Sequence, residues 1–289
     1  DIFDRRKYTN HISLYRARKM CFDHLSPYNT HIIVGNHDAT YKNTNELNSP
    51  GILLKDYPNI TVYPEVEEIE LDGLPIALVP WICSGNYARS IEFIQNTKAQ
   101  VLFGHLELAG FEMNRGSFVD HGMETSLFDK FDVVATGHFH HKSTKGNVNY
   151  LGAPYEMTWS DYNDPRGFHN FDTNTRELTY IQNPFRMFNK IHYDDSNKTL
   201  EEILAIDTEL YRNTYVKVIV HQKNNPYWFE QFVTKLEKAG VNHLQAVEDH
   251  LNLNLEDDSD IIEDAEDTLT ILRKVVDGLD YVTDKKPLF

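Results

Sequence analysis

Cysteine is nearly absent. Cys21 and Cys83 are the only two in 289 residues, and neither has a partner close by in sequence. That excludes a disulfide framework and the paired-Cys spacing of a structural zinc site, and it fits a reducing compartment, which we read as the cytoplasm. Long apolar runs are missing too. None approaches the roughly 18 residues that a membrane span requires, and no secretory leader pattern is present. Positive charge is scarce, with a net charge of −16 at pH 7. A protein that coats nucleic acid through a broad cationic surface is therefore disfavoured. An enzyme acting on nucleic acid is not excluded, because divalent ions supply positive charge at the site itself. There is no Gly-x-x-x-x-Gly-Lys-Ser/Thr loop, so any dependence on ATP has to come from another chain.

The acidity is uneven. Residues 246–289 hold 13 Asp and Glu against 4 Lys and Arg. The rest of the chain is close to ordinary, with enough hydrophobic content (40%) for one large domain and a smaller one. The sequence opens at Asp1 without Met and ends in Lys286-Pro287-Leu288-Phe289, and it reads as a fragment at the first end and at the second.

Apolar spacing predicts a helix over 11–25, with Ile12, Leu14, Tyr15, Ala17, Met20, Cys21 and Leu25 on its buried face. Strands are expected at 31–34, 60–63, 74–81, 101–103, 133–135 and 148–151, a helix at 87–97, and a hairpin at 167–171 and 178–181 that turns at 172–175. This alternation is that of an α/β domain over 1–182. A smaller strand–helix–strand module occupies 183–252, with a strand at 215–221, a helix at 226–239 stopped by Gly240, and a strand at 242–248. An acidic linker at 253–260 and an amphipathic helix at 261–276 make up a third region, 253–289.

Three apolar runs end in glycine followed by side chains that bind metals. Ile33-Val34-Gly35 leads into Asn36-His37-Asp38, Leu102-Phe103-Gly104 into His105, and Ala135-Thr136-Gly137 into His138-Phe139-His140; Asp1 and Asp4 open the chain. Ligands collect at the C-terminal ends of strands in open α/β sheets, where glycine lets a side chain approach an ion closely. Imidazole, carboxylate and amide oxygen together suit manganese or iron rather than the thiolate-loving ions. A lone Gly-His is commonplace, and Asn-His-Asp alone could be a simple turn. The joint occurrence, each after an apolar run, is what points to a metal centre.

The order Asp-x-x-Asp, Gly-Asn-His-Asp, Gly-His, Gly-His-x-His resembles the calcineurin-like metallophosphoesterase superfamily. Within it the chain resembles the SbcD-type double-strand-break repair nucleases, and most closely the recombination nuclease subunits of T-even-like phages. Supporting segments are Leu78-Val79-Pro80-Trp81, the stretch from Tyr150 to Tyr155, Asp164-Pro165-Arg166-Gly167-Phe168, and the small module after residue 183, which sits where those nucleases carry a DNA-facing cap. The resemblance implies a sandwich of two sheets flanked by helices with a small α/β cap. It also implies two divalent ions, manganese by preference, hydrolysis of DNA phosphodiesters, an SbcC-type ATPase partner gripped by the helix at 261–276, and a homodimer.

Residue by residue, the resemblance implies that Asp1 bridges the two ions. Asn36, His105 and His138 complete one site, and His140 serves the other. His37 acts at the scissile phosphate and Asp38 orients it, while Asp4 is structural. The family's upstream Asp-x-His motif precedes the bridging carboxylate, so two ligands of the ion served by His140 are expected to lie outside this sequence. Two other readings stay open: a phosphomonoesterase or cyclic-nucleotide phosphodiesterase on the same fold, and a scaffold subunit without activity. His141 is read as a solvent or phosphate contact. Tyr155, Trp159 and Tyr162 are open to base stacking or plain packing, and Arg166 to phosphate or Asp164.

Overall fold

The computed structural model describes residues 1–114 and 116–248. The expected acidic linker, the helix at 261–276 and with them the partner-binding region lie outside the described residues. The described chain is mixed α/β, and it divides into two compact units. One comprises Asp1–Pro154 and Asp164–Asn183. The other comprises Tyr155–Asn163 and the described part of the chain from Pro184.

The first unit is built on a six-stranded mixed sheet. Its order is Ser143–Lys145, Val148–Tyr150, Val133–Gly137, Val101–His105, Leu74–Val79, Glu67–Leu71. The four inner strands are parallel and the two outer ones are antiparallel hairpin partners. Inner parallel strands are buried on both faces and need apolar residues at successive positions. Ala77, Val79 and Leu102 accordingly enter one core with Ile94, Phe128 and Tyr150. Ile76, Leu78 and Val101 enter a second core with Tyr63 and, partly buried, Ile33, Phe103 and Phe171. That second core joins the large sheet to a parallel pair, Thr30–Ile33 with Ile60–Tyr63. The helix Tyr87–Asn96 contributes Ile94 and Phe93 to the first core.

The helix expected over 11–25 exists, but its buried face differs. It runs as α-helix His11–Ala17, a π-helical turn Arg18–Phe22, and Asp23–Leu25. A π turn inserts one residue and rotates the helical turn after it, so Phe22, with Ala17 and Leu25, packs against Ile32 and Leu54. Ile12, Tyr15 and Met20 are left exposed. A uniform 3.6-residue period could not show that shift.

The second unit holds a three-stranded parallel sheet, Phe188–Asp194, Tyr215–Gln222 and His243–Glu248, packed on the helix Pro226–Lys238. The first of these strands was not expected. The segment Tyr155–Asn163, assigned by linear reading to the first domain, belongs here. The buried Glu156 carboxylate accepts hydrogen bonds from the Met187 and Phe188 amides at 2.7 and 2.9 Å. Trp159 packs on Phe188 and under the Lys217 ammonium, 4.2 Å from its ring centre. Trp159 is thus core packing. Tyr162 lies under Lys190, and Tyr155 is half exposed.

Candidate metal centre

The strands Val101–His105 and Val133–Gly137 run parallel with His105 opposite Gly137. Their C-terminal ends therefore place His105 and His138 side by side, with ring centres 5.1 Å apart. His138 comes directly after its strand with φ at +89°. A non-glycine residue pays of order 1–3 kcal/mol for such a conformation, so the ring is held there by its surroundings. Gly35 ends the Thr30–Ile33 arm and opens a turn in which the Asp38 and Ala39 amides donate to the Gly35 carbonyl at 3.2 and 3.3 Å. This turn carries Asn36 to the two imidazoles.

The three side chains meet at atoms with lone pairs. Asn36 Oδ1 lies 2.9 Å from His105 Nε2 and 3.0 Å from His138 Nδ1, and those nitrogens are 3.3 Å apart. Asp1 Oδ2 lies 3.4 Å from His105 Nε2, while Asp1 Oδ1 accepts the His37 amide at 2.8 Å. Donor atoms about 2.1 Å from an octahedral ion stand about 3.0 Å from one another, which is the edge length of this triangle. The residues present thus fit a mid-range divalent ion in spacing and in donor type. Counting only His, Cys, Asp and Glu, no group of three among the described residues is arranged to hold an ion. The cluster reaches three donors in contact only through the Asn36 amide oxygen.

Protonation favours the same use. Burial holds the His105 imidazole well below its ordinary range, helped by repulsion from nearby positive groups. Burial, then repulsion from His37 and His140, lowers His138 to about 4. Both rings are neutral near pH 7, the form in which a ring nitrogen can bind a metal. His140 is half buried.

His37 and Asp38 are adjacent in sequence but are held by different partners. Asp38 is fully buried, and its carboxylate accepts the amides of Ile2 (2.8 Å), Phe3 (3.2 Å) and Gly35 (3.0 Å). It organises the backbone on both sides of the site rather than the His37 ring. That ring is half exposed, and its Nδ1 lies 2.8 Å from the Asp4 carbonyl oxygen. A carbonyl only accepts, so Nδ1 carries the proton, and Nε2 is left to take or give one. The ring contact expected of Asp38 is made by the Asp4 carbonyl instead. A short carboxylate side chain beside consecutive amides is captured by the backbone, and the i+1 spacing of the two residues could not indicate this.

Several positioning residues were not singled out from sequence. Thr136 Oγ1 accepts the Leu106 amide at 2.9 Å. The Tyr150 hydroxyl accepts from Leu108 at 3.0 Å and donates to the Leu106 carbonyl at 2.8 Å. Together they fix the chain leaving His105. Glu107 Oε2 approaches His138 Nε2 at 3.7 Å, and its Oε1 approaches His121 Nε2 at 3.1 Å. Arg166 is buried, pairs with Asp164 at 2.9 Å, and donates to the His140 carbonyl. Asp164 also receives His141 Nδ1 at 2.9 Å. Of the two readings of Arg166, the partner is Asp164, and His141 is turned toward a protein carboxylate. Only the Asp-x-Arg spacing in Asp164-Pro165-Arg166 offered a signal of this.

No protein-family model matches the chain. Among curated proteins it is similar to exonuclease subunit 1 of Enterobacteria phage T4, with 35% identity over 286 residues. The match covers 98% of this chain and 80% of that protein. An alignment of this length and identity places the chain in the family of the phage exonuclease subunit 1.

Proposed function

We propose that this chain is the nuclease subunit of a recombination and repair complex, a calcineurin-like metallophosphoesterase of the SbcD type that hydrolyses DNA phosphodiesters with two divalent ions, manganese by preference. The observation that carries the reading is the meeting of Asn36 Oδ1, His105 Nε2 and His138 Nδ1 within 3.3 Å of one another, with Asp1 Oδ2 beside them. The relative's name supplies the exonuclease activity and the status of a subunit. DNA, an SbcC-type ATPase and a second copy of the chain are the proposed partners, in the host cytoplasm. No described helix is long and apolar enough to cross a membrane.

In this proposal Asn36, His105 and His138 would hold one ion and His140 would serve the other, with Asp1 available to both. Bound ions would lower the pKa of a water and clamp the attacking and leaving oxygens of an in-line displacement. The remaining steps belong to side chains. His37, steered by the Asp4 carbonyl, holds a proton on Nε2 for the leaving oxygen. Asp38 keeps Ile2, Phe3 and Gly35 in place, so that Asp1 and Asn36 stay aimed at the same point.

The test compares hydrolysis of linear duplex DNA, bis-p-nitrophenyl phosphate and p-nitrophenyl phosphate, with manganese and with EDTA, while counting manganese per chain. Manganese-dependent cleavage of DNA and the diester is expected. Preference for the monoester would favour a phosphomonoesterase, and well under one manganese per chain would favour a scaffold; either outcome overturns the proposal.

A further inference from the structure

Beside the cluster, within the first unit, lies a cavity of about 570 Å³. Its apolar lining comes from Trp81, Ile82, Tyr87, Ile91, Met123 and Leu127, and Glu107 and Glu124 add two carboxylates. No Lys or Arg among the described residues lines it. Nothing in the hydrolytic chemistry uses it, yet it is joined to the site at two points. The Trp81 amide donates to the Val34 carbonyl at 2.8 Å, one residue before the turn that carries Asn36. Glu107, on the opposite side, approaches His138 at 3.7 Å.

Backbone bonds fix two of its wall segments. The Met123 amide donates to the Glu107 carbonyl at 2.9 Å, and the Ala109 amide to the Met123 carbonyl at 3.1 Å. Gly122 has φ at +108°, and a Cβ there would stand 2.7 Å from the Glu107 carbonyl oxygen, so this close approach requires glycine. The Trp81 carbonyl accepts the side-chain amides of Asn45 and Asn86 at 2.7 and 3.0 Å. Arg6 stacks over the Trp81 ring, 5.1 Å from its centre. The indole is therefore fixed through its backbone and by a cation above it.

Resting on the nuclease reading, we infer that this cavity takes the nucleobase adjoining the scissile phosphodiester. A volume of this order matches a small flat ligand. An aromatic and thioether lining, above all Tyr87 and Met123, offers stacking to any base, and a lining with two carboxylates and no Lys or Arg favours the base end of a nucleotide over its phosphate, Arg6 being engaged on the Trp81 ring. Carboxylates accept hydrogen bonds from the exocyclic amines of cytosine, adenine and guanine. Thymine lacks such an amine and is the base least served by Glu107 and Glu124.

The experiment uses the full chain in manganese and a set of oligonucleotides, each with one abasic residue placed at a successive position across the cleaved end. An abasic residue at the one position adjoining the cut is expected to lower kcat/KM by about tenfold or more, the scale of one lost base–aromatic stack, and other positions to change it little. Tyr87→Ala, at a half-exposed wall residue, is expected to cut intact DNA at about the rate wild type reaches on that abasic oligonucleotide. Uniform cleavage of the whole set by wild type overturns the inference and leaves the nuclease reading standing. Failure to cleave any member overturns the nuclease reading, and this inference with it.

Discussion

Asn36 and His105, 69 residues apart in the chain, meet at 2.9 Å through Oδ1 and Nε2, and His138 Nδ1 closes the triangle from a third strand end. If these atoms are ligands, removing one weakens an ion site without unfolding the protein. We predict that His138→Ala lowers the manganese bound per chain, read by equilibrium dialysis with metal analysis. Occupancy equal to wild type would show that the ligand assignment is wrong.

His37 stands apart from that triangle, with its ring on the Asp4 carbonyl. His37→Ala is expected to keep manganese occupancy and to lose cleavage by about 10²–10⁴-fold, the usual contribution of a positioned proton donor. Cleavage within a few-fold of wild type would remove His37 from the chemistry.

Gly35 is required by space. A Cβ at this position would stand 2.1 Å from Asp1 Oδ1, so Gly35→Ala must push the Asp1 carboxylate aside. The expected outcome is weaker manganese binding by calorimetry with helical and sheet content preserved by circular dichroism. Unchanged affinity would mean that Asp1 is not held where the site needs it.

Arg166 and Asp164 form a buried pair, 2.9 Å apart. Arg166→Met removes the guanidinium from the Asp164 carboxylate, which keeps His141 Nδ1 at 2.9 Å, and removes one donor from the His140 carbonyl, which also accepts the Ala153 amide at 3.0 Å. Breaking such a pair costs about 3–5 kcal/mol, measurable by urea titration, and the double variant with Asp164→Asn should recover part of the loss. A single variant as stable as wild type would mean that the pair holds nothing in place.

The metal-free protein should also be acid-sensitive. Burial holds both His105 and His138 below the ordinary histidine value of 6.5, His138 to about 4. The unfolded chain therefore takes up protons first. Stability is fully present above pH 6.5 and is lost as pH falls from 6.5 toward 4. Urea titrations in EDTA at pH 7.5, 6 and 5 should show the decline, and His138→Asn should flatten it. A wild-type profile that is level across this window would contradict the neutral, buried state of the rings.

Much of the candidate site was legible in sequence because its residues come after apolar runs, and a short apolar run ending in glycine reads as a buried strand. Local composition thus determined that Asn36, His105, His138 and His140 follow strands; the parallel order of two inner strands brings His105 and His138 to one edge of the large sheet, and Asn36 arrives from the separate Thr30–Ile33 pair. The same locality explains the expected hairpin at 167–171 and 178–181 and the helix ended by Gly240.

What only the tertiary structure decided are relationships that depend on residues far apart. The π turn at Arg18–Phe22 rotates the buried face of its helix because Phe22 finds room beside Ile32 and Leu54. Tyr155–Asn163 belongs to the second unit because Glu156 caps two amides at residues 187 and 188. Asp38 serves the backbone and Asp4 steers His37 because a buried carboxylate goes to whichever amides lie nearest in space. Periodicity and glycine record what each segment does with its immediate neighbours in the chain. Partners 30 to 100 residues away are chosen by packing, which leaves no periodic trace in the sequence.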